Sequence, residues 1–109
     1  MTLGNASVVG VGGPGSRYVR LFHPMPNPFT GFTQMNYAVQ TDQQMVTIRV
    51  YDVAGRMVRT LVDAPQAAGV YTVSWNGRDD GGASLRPGMY FVMARIGSEQ
   101  QKVRVTFLK

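Results

Sequence analysis

The sequence predicts an all-β protein, a Greek-key sandwich of about seven strands. Three observations lead there. Apolar and polar residues alternate in β-type runs, most clearly in Val46-Thr47-Ile48-Arg49-Val50-Tyr51. Turn-forming clusters separate those runs: Pro26-Asn27-Pro28, Asp52 to Arg56, Asn76 to Gly82 and Pro87-Gly88. Charged residues are only 16% of a glycine-rich chain, which suits an all-β protein with many turns better than a helical or disordered one.

The chain divides into an arm with a linker, residues 1–16, and a sandwich, residues 17–109. Within the arm, Ala6-Ser7-Val8-Val9-Gly10-Val11 has the β-branched content of a short strand, and Gly12-Gly13-Pro14-Gly15 follows as a flexible link or sharp turn. A lead strand spans Arg17 to Phe22. His23-Pro24-Met25-Pro26-Asn27-Pro28 cannot continue a ladder, because each proline removes a donor and fixes φ. The chain is therefore expected to leave the sheet there, re-enter after Phe29, and use Phe29 to plug the end of the core.

Thr33 to Val39 places Met35, Tyr37 and Val39 on one face, and Val46 to Tyr51 is a half-buried strand. Asp52 to Arg56 makes a hairpin, with the Asp52 carboxylate capping the turn and Gly55 supplying a left-handed residue. Met57 to Val62 returns, and Val70 to Trp75 follows Ala68-Gly69. Gly88 opens Met89 to Ile96, and Gln101 to Leu108 closes the domain with Val103, Val105 and Phe107 on one face. No helix is expected.

The series Pro26-Asn27-Pro28-Phe29, Val50-Tyr51-Asp52-Val53-Ala54-Gly55-Arg56, Trp75-Asn76-Gly77-Arg78-Asp79-Asp80-Gly81-Gly82 and Pro87-Gly88-Met89-Tyr90-Phe91 resembles the C-terminal sorting domains of type IX secretion. It also resembles the Ig-like domain of the flagellar hook-capping protein. The resemblance covers about Pro26 to Lys109 and implies an immunoglobulin-like sandwich on a bacterial surface or outside the cell. For a sorting domain it further implies an outer-membrane secretion partner reading the last strand: Lys102, Val103, Arg104, Val105, Thr106, Phe107, Leu108 and Lys109. Asn76 stands where the family usually has aspartate.

Bulk properties exclude several function classes. There are no cysteines, hence no disulfides or thiolate metal sites. Nothing approaches 18 continuous apolar residues, so no membrane span is expected. Met1-Thr2-Leu3-Gly4 lacks the basic start and apolar stretch of a secretory signal. The net charge of +5 raises the question of nucleic acid, yet the arginines are dispersed and no nucleic-acid-binding signature is present, so none is expected. The single histidine, His23, lies among prolines, and no nucleophile or paired-carboxylate constellation can be assembled. An enzyme is not expected, nor is a cofactor.

Four features remain as candidate sites. Asn76, Asp79 and Asp80 could offer oxygens to calcium; the competing reading, that they cap their own turn, leaves no metal expected. Trp75 and Tyr90 are either a sugar-stacking platform or core fillers, and the core is the reading adopted. Asn5-Ala6-Ser7 matches the glycosylation acceptor pattern, a match that short triplets often make by chance. The arm Ala6 to Val11 is either a leader or a strand donated to a neighbouring copy, and a head-to-tail contact of that kind generates a filament. The expected function is a non-catalytic extracellular module that self-assembles through this arm. The alternative is an export and anchoring signal, and a third class is carbohydrate or polyanion binding on a face bearing Arg49 and Arg95.

Overall fold

The computed structural model describes residues 20–21 and 24–108. Among these residues, seven strands run β1 (Arg20–Leu21), β2 (Thr33–Val39), β3 (Gln44–Tyr51), β4 (Met57–Gln66), β5 (Gly69–Trp75), β6 (Gly88–Ile96) and β7 (Glu99–Phe107), six of them of seven residues or more. They form two antiparallel sheets, one ordered β1-β2-β5 and the other β4-β3-β6-β7. The sheets face each other across a core that follows the period-two pattern strand by strand. Met35, Tyr37 and Val39 from β2 and Val73 and Trp75 from β5 meet Val46, Ile48 and Val50 from β3, Tyr90, Val92, Ala94 and Ile96 from β6, and Val103, Val105 and Phe107 from β7.

The strands run longer than the alternation predicted. β4 continues past Val62 to Gln66 and carries Pro65, which a strand tolerates only where its missing N–H faces away from a partner. β4 is such an edge strand, paired among the described residues with β3 alone. β7 begins at Glu99, because a tight turn at Gly97 lets Ile96 pair with Glu99 at once.

The proline segment leaves the ladder as expected, with no strand among the described residues between Leu21 and Thr33, but isolated bridges keep it on the sandwich. It switches between sheets: Met25 bridges Gln34 of β2, and Phe29 bridges Phe107 of β7 in parallel. Met25 N–H donates to the Gln34 carbonyl at 2.9 Å, and Phe29 N–H donates to the Thr106 carbonyl at 3.0 Å. Phe29 plugs the core end as expected, 1% exposed, with its ring 5.1 Å from Phe107 and 5.5 Å from Trp75.

The Asp52–Arg56 hairpin forms as read. Asp52 Oδ1 accepts the Ala54 and Arg56 N–H groups, both at 2.9 Å, and Gly55 takes φ 86°. Asp52 Oδ2 also accepts from Arg56 Nε at 3.0 Å, so Arg56 braces the turn.

Candidate functional site

The turn after β5 closes one end of the sandwich. The Trp75 indole N–H donates to the Arg78 carbonyl at 3.0 Å, and the Arg78 guanidinium donates to the Gly82 carbonyl at 2.8 Å. Asn76, Asp79 and Asp80, singled out for calcium, each have one oxygen on a backbone N–H. Asn76 Oδ1 accepts from Arg78 at 3.2 Å, Asp79 Oδ1 from Ala83 at 2.9 Å, and Asp80 Oδ1 from Thr60 at 2.9 Å. No group of three or more His, Cys, Asp or Glu side chains is gathered for a metal among the described residues.

Trp75 and Tyr90 lie inside, 1% and 6% exposed, edge to face at 5.3 Å. They fill the core, and neither presents a ring to solvent. Tyr90 also donates its hydroxyl to the Arg86 carbonyl at 2.6 Å, four residues upstream, which pins the loop entering β6. That is the tyrosine corner of a Greek-key sandwich. The segment Arg86-Pro87-Gly88-Met89-Tyr90 carried the signal for it in the turn residues before a core-facing tyrosine.

The sheet edges differ sharply in protection. An edge strand presents unpaired N–H and C=O groups that another strand can use. The β7 edge is covered by residues 27–29. The Asn27 side chain accepts the Thr106 N–H at 3.0 Å and donates to the Arg104 carbonyl at 3.3 Å, standing in for a strand partner. Leu108 N–H then donates to the Phe29 carbonyl at 2.8 Å.

The β4 edge is covered in its first half by Asp80, whose carboxylate takes the Thr60 N–H and whose own N–H donates to the Val58 carbonyl at 3.1 Å. Its second half carries Asp63 and Pro65, and two register shifts interrupt its pairing with β3. β5 has none of these devices. It is seven residues long, pairs among the described residues with β2 alone, and reads Gly-Val-Tyr-Thr-Val-Ser-Trp with no charge and no proline. The edge-covering roles of Asn27 and Asp80 escaped sequence reasoning, because their partners lie 79 and 20 residues away.

The residues singled out in the last strand divide by face. Val103, Val105 and Phe107 are buried in the core, while Lys102 and Arg104 are exposed. Lys109, Asn5 and the arm Ala6-Ser7-Val8-Val9-Gly10-Val11 lie outside the described residues. Arg49 and Arg95 share the outer face of the four-stranded sheet, Arg49 half-buried on β3 and Arg95 exposed on β6.

Two facing antiparallel sheets with β1-β2-β5 and β4-β3-β6-β7 order, a buried tryptophan and a tyrosine corner define an immunoglobulin-like sandwich. Residues 27–99 match the FlgD Ig-like domain, and the chain belongs to that family. No curated protein matches the chain. Among solved structures it is similar to PorZ, an essential bacterial surface component of the type-IX secretion system of Porphyromonas gingivalis, at 18% identity and a TM-score of 0.55. That match covers 82% of this chain and only 11% of PorZ, so the likeness is one of fold. A second similarity, to the alkylpurine DNA glycosylase AlkC of Pseudomonas fluorescens bound to DNA containing an abasic site analog, has 13% identity and a TM-score of 0.49. It covers 84% of this chain and 30% of that one, and carries no argument.

Proposed function

We propose that this domain is a non-catalytic structural module of the bacterial surface that joins copies of itself by strand addition, with residues Ala6–Val11 of one copy pairing along β5 of the next. One observation supports the reading: among the described residues, the β7 and β4 edges are covered or blocked, the β1 edge is only two residues long, and β5 pairs with β2 alone and is uncharged and free of proline. An arm rich in valine and small residues suits such an edge, since main-chain hydrogen bonds supply the affinity and small side chains let the backbones approach.

Electron microscopy of the full chain beside a version lacking residues 1–15 tests this. Filaments from the full chain alone, abolished by the double substitution Thr72→Lys and Ser74→Lys on β5, support strand addition there. Monodisperse particles from every variant overturn it.

Export and anchoring by a type IX machinery is the second reading, favoured by the exposed Lys102 and Arg104 on the last strand. Truncating that strand cannot test it, because Val103, Val105 and Phe107 would leave the core. Surface charge reversal at Lys102 and Arg104 in a secreted fusion can: export should fail while the fold survives.

A further inference from the structure

The outer face of the four-stranded sheet combines unneutralised cations with an apolar strip. The register sets Thr60, Arg49, Met93 and Lys102 side by side across β4, β3, β6 and β7. The next row is Met57, Tyr51, Phe91 and Arg104, and on the other side Asp63, Thr47, Arg95 and Gln100 line up. Neighbouring strands lie about 4.8 Å apart and same-face residues about 7 Å apart along a strand, so the four cations crowd one small face. Asp63 is the one acid in these rows, at the far edge of the sheet.

None of the four cations has a carboxylate partner among the described residues; the ion pairs there are Arg56–Asp52 and Arg59–Asp80. Arg95 makes a long hydrogen bond to Gln100 at 3.4 Å, and Lys102 Nζ sits 5.2 Å over the Phe91 ring. Arg49 is the least satisfied: its Nε is shielded from water and has no hydrogen-bond acceptor. A shielded donor without an acceptor is a local cost that a docked carboxylate could offset after a small rotation of the guanidinium.

We infer that this face is a docking surface for a protein partner that presents carboxylates around an apolar centre. The proposal is independent of strand addition, which uses the edge of the other sheet. A second copy is disfavoured as occupant, because two such faces would set cations against cations. A pure polyelectrolyte is disfavoured too, because Tyr51, Phe91 and Met93 lie among the cations and would contribute nothing to counterion release. Aromatic, methionine and arginine side chains together are the composition of a protein-binding surface.

The test is an NMR titration of the full chain with a 12-residue peptide alternating glutamate and leucine, beside poly-glutamate, heparin and an oligothymidylate. The peptide is expected to shift the amides of Arg49, Phe91, Met93, Lys102 and Arg104. Lys102→Glu with Arg104→Glu should weaken it at least about tenfold, as expected for close opposite charges at an interface. Met93→Ser should also weaken the peptide while leaving poly-glutamate unchanged. Each variant's amide spectrum must keep the dispersion of the folded chain. Two results overturn the proposal: no shifts with millimolar peptide, or binding of poly-glutamate, heparin or oligothymidylate as tight as the peptide's and indifferent to Met93→Ser.

Discussion

Gly77 offers the sharpest test of how the core end is built. It is buried, adopts φ 76°, and sits directly under the Phe107 ring. A Cβ added there would lie 2.6 Å from Phe107 Cζ and 2.8 Å from Cε2, closer than packed carbons approach. The ring cannot swing aside, because it is clamped by Phe29 at 5.1 Å. Gly77→Ala therefore meets two penalties, about 1–2 kcal/mol for an alanine in the left-handed region and about 1–3 kcal/mol for overpacking.

Gly55 is the internal control. Its φ is 86°, but nothing lies within 4 Å of its hypothetical Cβ, so Gly55→Ala meets the backbone penalty alone. Urea unfolding of both variants should show Gly77→Ala less stable than Gly55→Ala by about 1–3 kcal/mol, a substantial share of the roughly 5–15 kcal/mol that holds a domain together. In thermal melts that gap amounts to roughly 4–8 °C per kcal/mol for a domain near this size. Equal losses in the two variants would refute the argument, since they would mean that Phe107 yields at no cost.

Two further outcomes follow from titrating groups. Burial raises the Tyr37 and Tyr90 phenols above the ordinary 10.0, so their contribution is complete below that value and is lost as pH climbs through the folded-state values; the alkaline fall in stability should shrink in Tyr37→Phe and Tyr90→Phe. At neutral pH, Tyr90→Phe should also cost about 1 kcal/mol in urea unfolding, because the Arg86 carbonyl loses its donor. The Arg56 backbone N–H, helped by its guanidinium and the Ala54 N–H, holds Asp52 below the ordinary 3.8. That contribution is present above 3.8 and lost as pH falls through the folded value, so the stability difference between wild type and Asp52→Ala should narrow in acid, and the Asp52 carboxyl should titrate below 3.8 by NMR.

Much of the fold was legible because its signals are local. Alternation in Val46 to Tyr51 states which side chains face inward, and Asp52 with Gly55 dictates a hairpin, since the carboxylate and the left-handed glycine act within four residues. Trp75 and Phe29 were readable as core fillers from local signals too, Trp75 as a large aromatic at the end of a β-type run and Phe29 as the aromatic that follows the proline segment where the chain re-enters. The exit of the proline segment from the ladder was legible too, and the next strand begins at Thr33, but the bridges made on the way were not. Prolines do forbid a continuous ladder, but they leave Met25 and Phe29 free to bridge two different sheets.

By itself, then, the sequence determined the strands, the turns between them and the inward face of each strand, all consequences of chemistry within a few residues. The tertiary structure alone decided which edges are covered, because Asn27 reaches Thr106 and Asp80 reaches Thr60 only once the sheets have been assembled. It also decided that Arg49, Arg95, Lys102 and Arg104 share one face. Period-two alternation says that a side chain points outward, but lateral register says beside what, and register is set by pairing between distant segments.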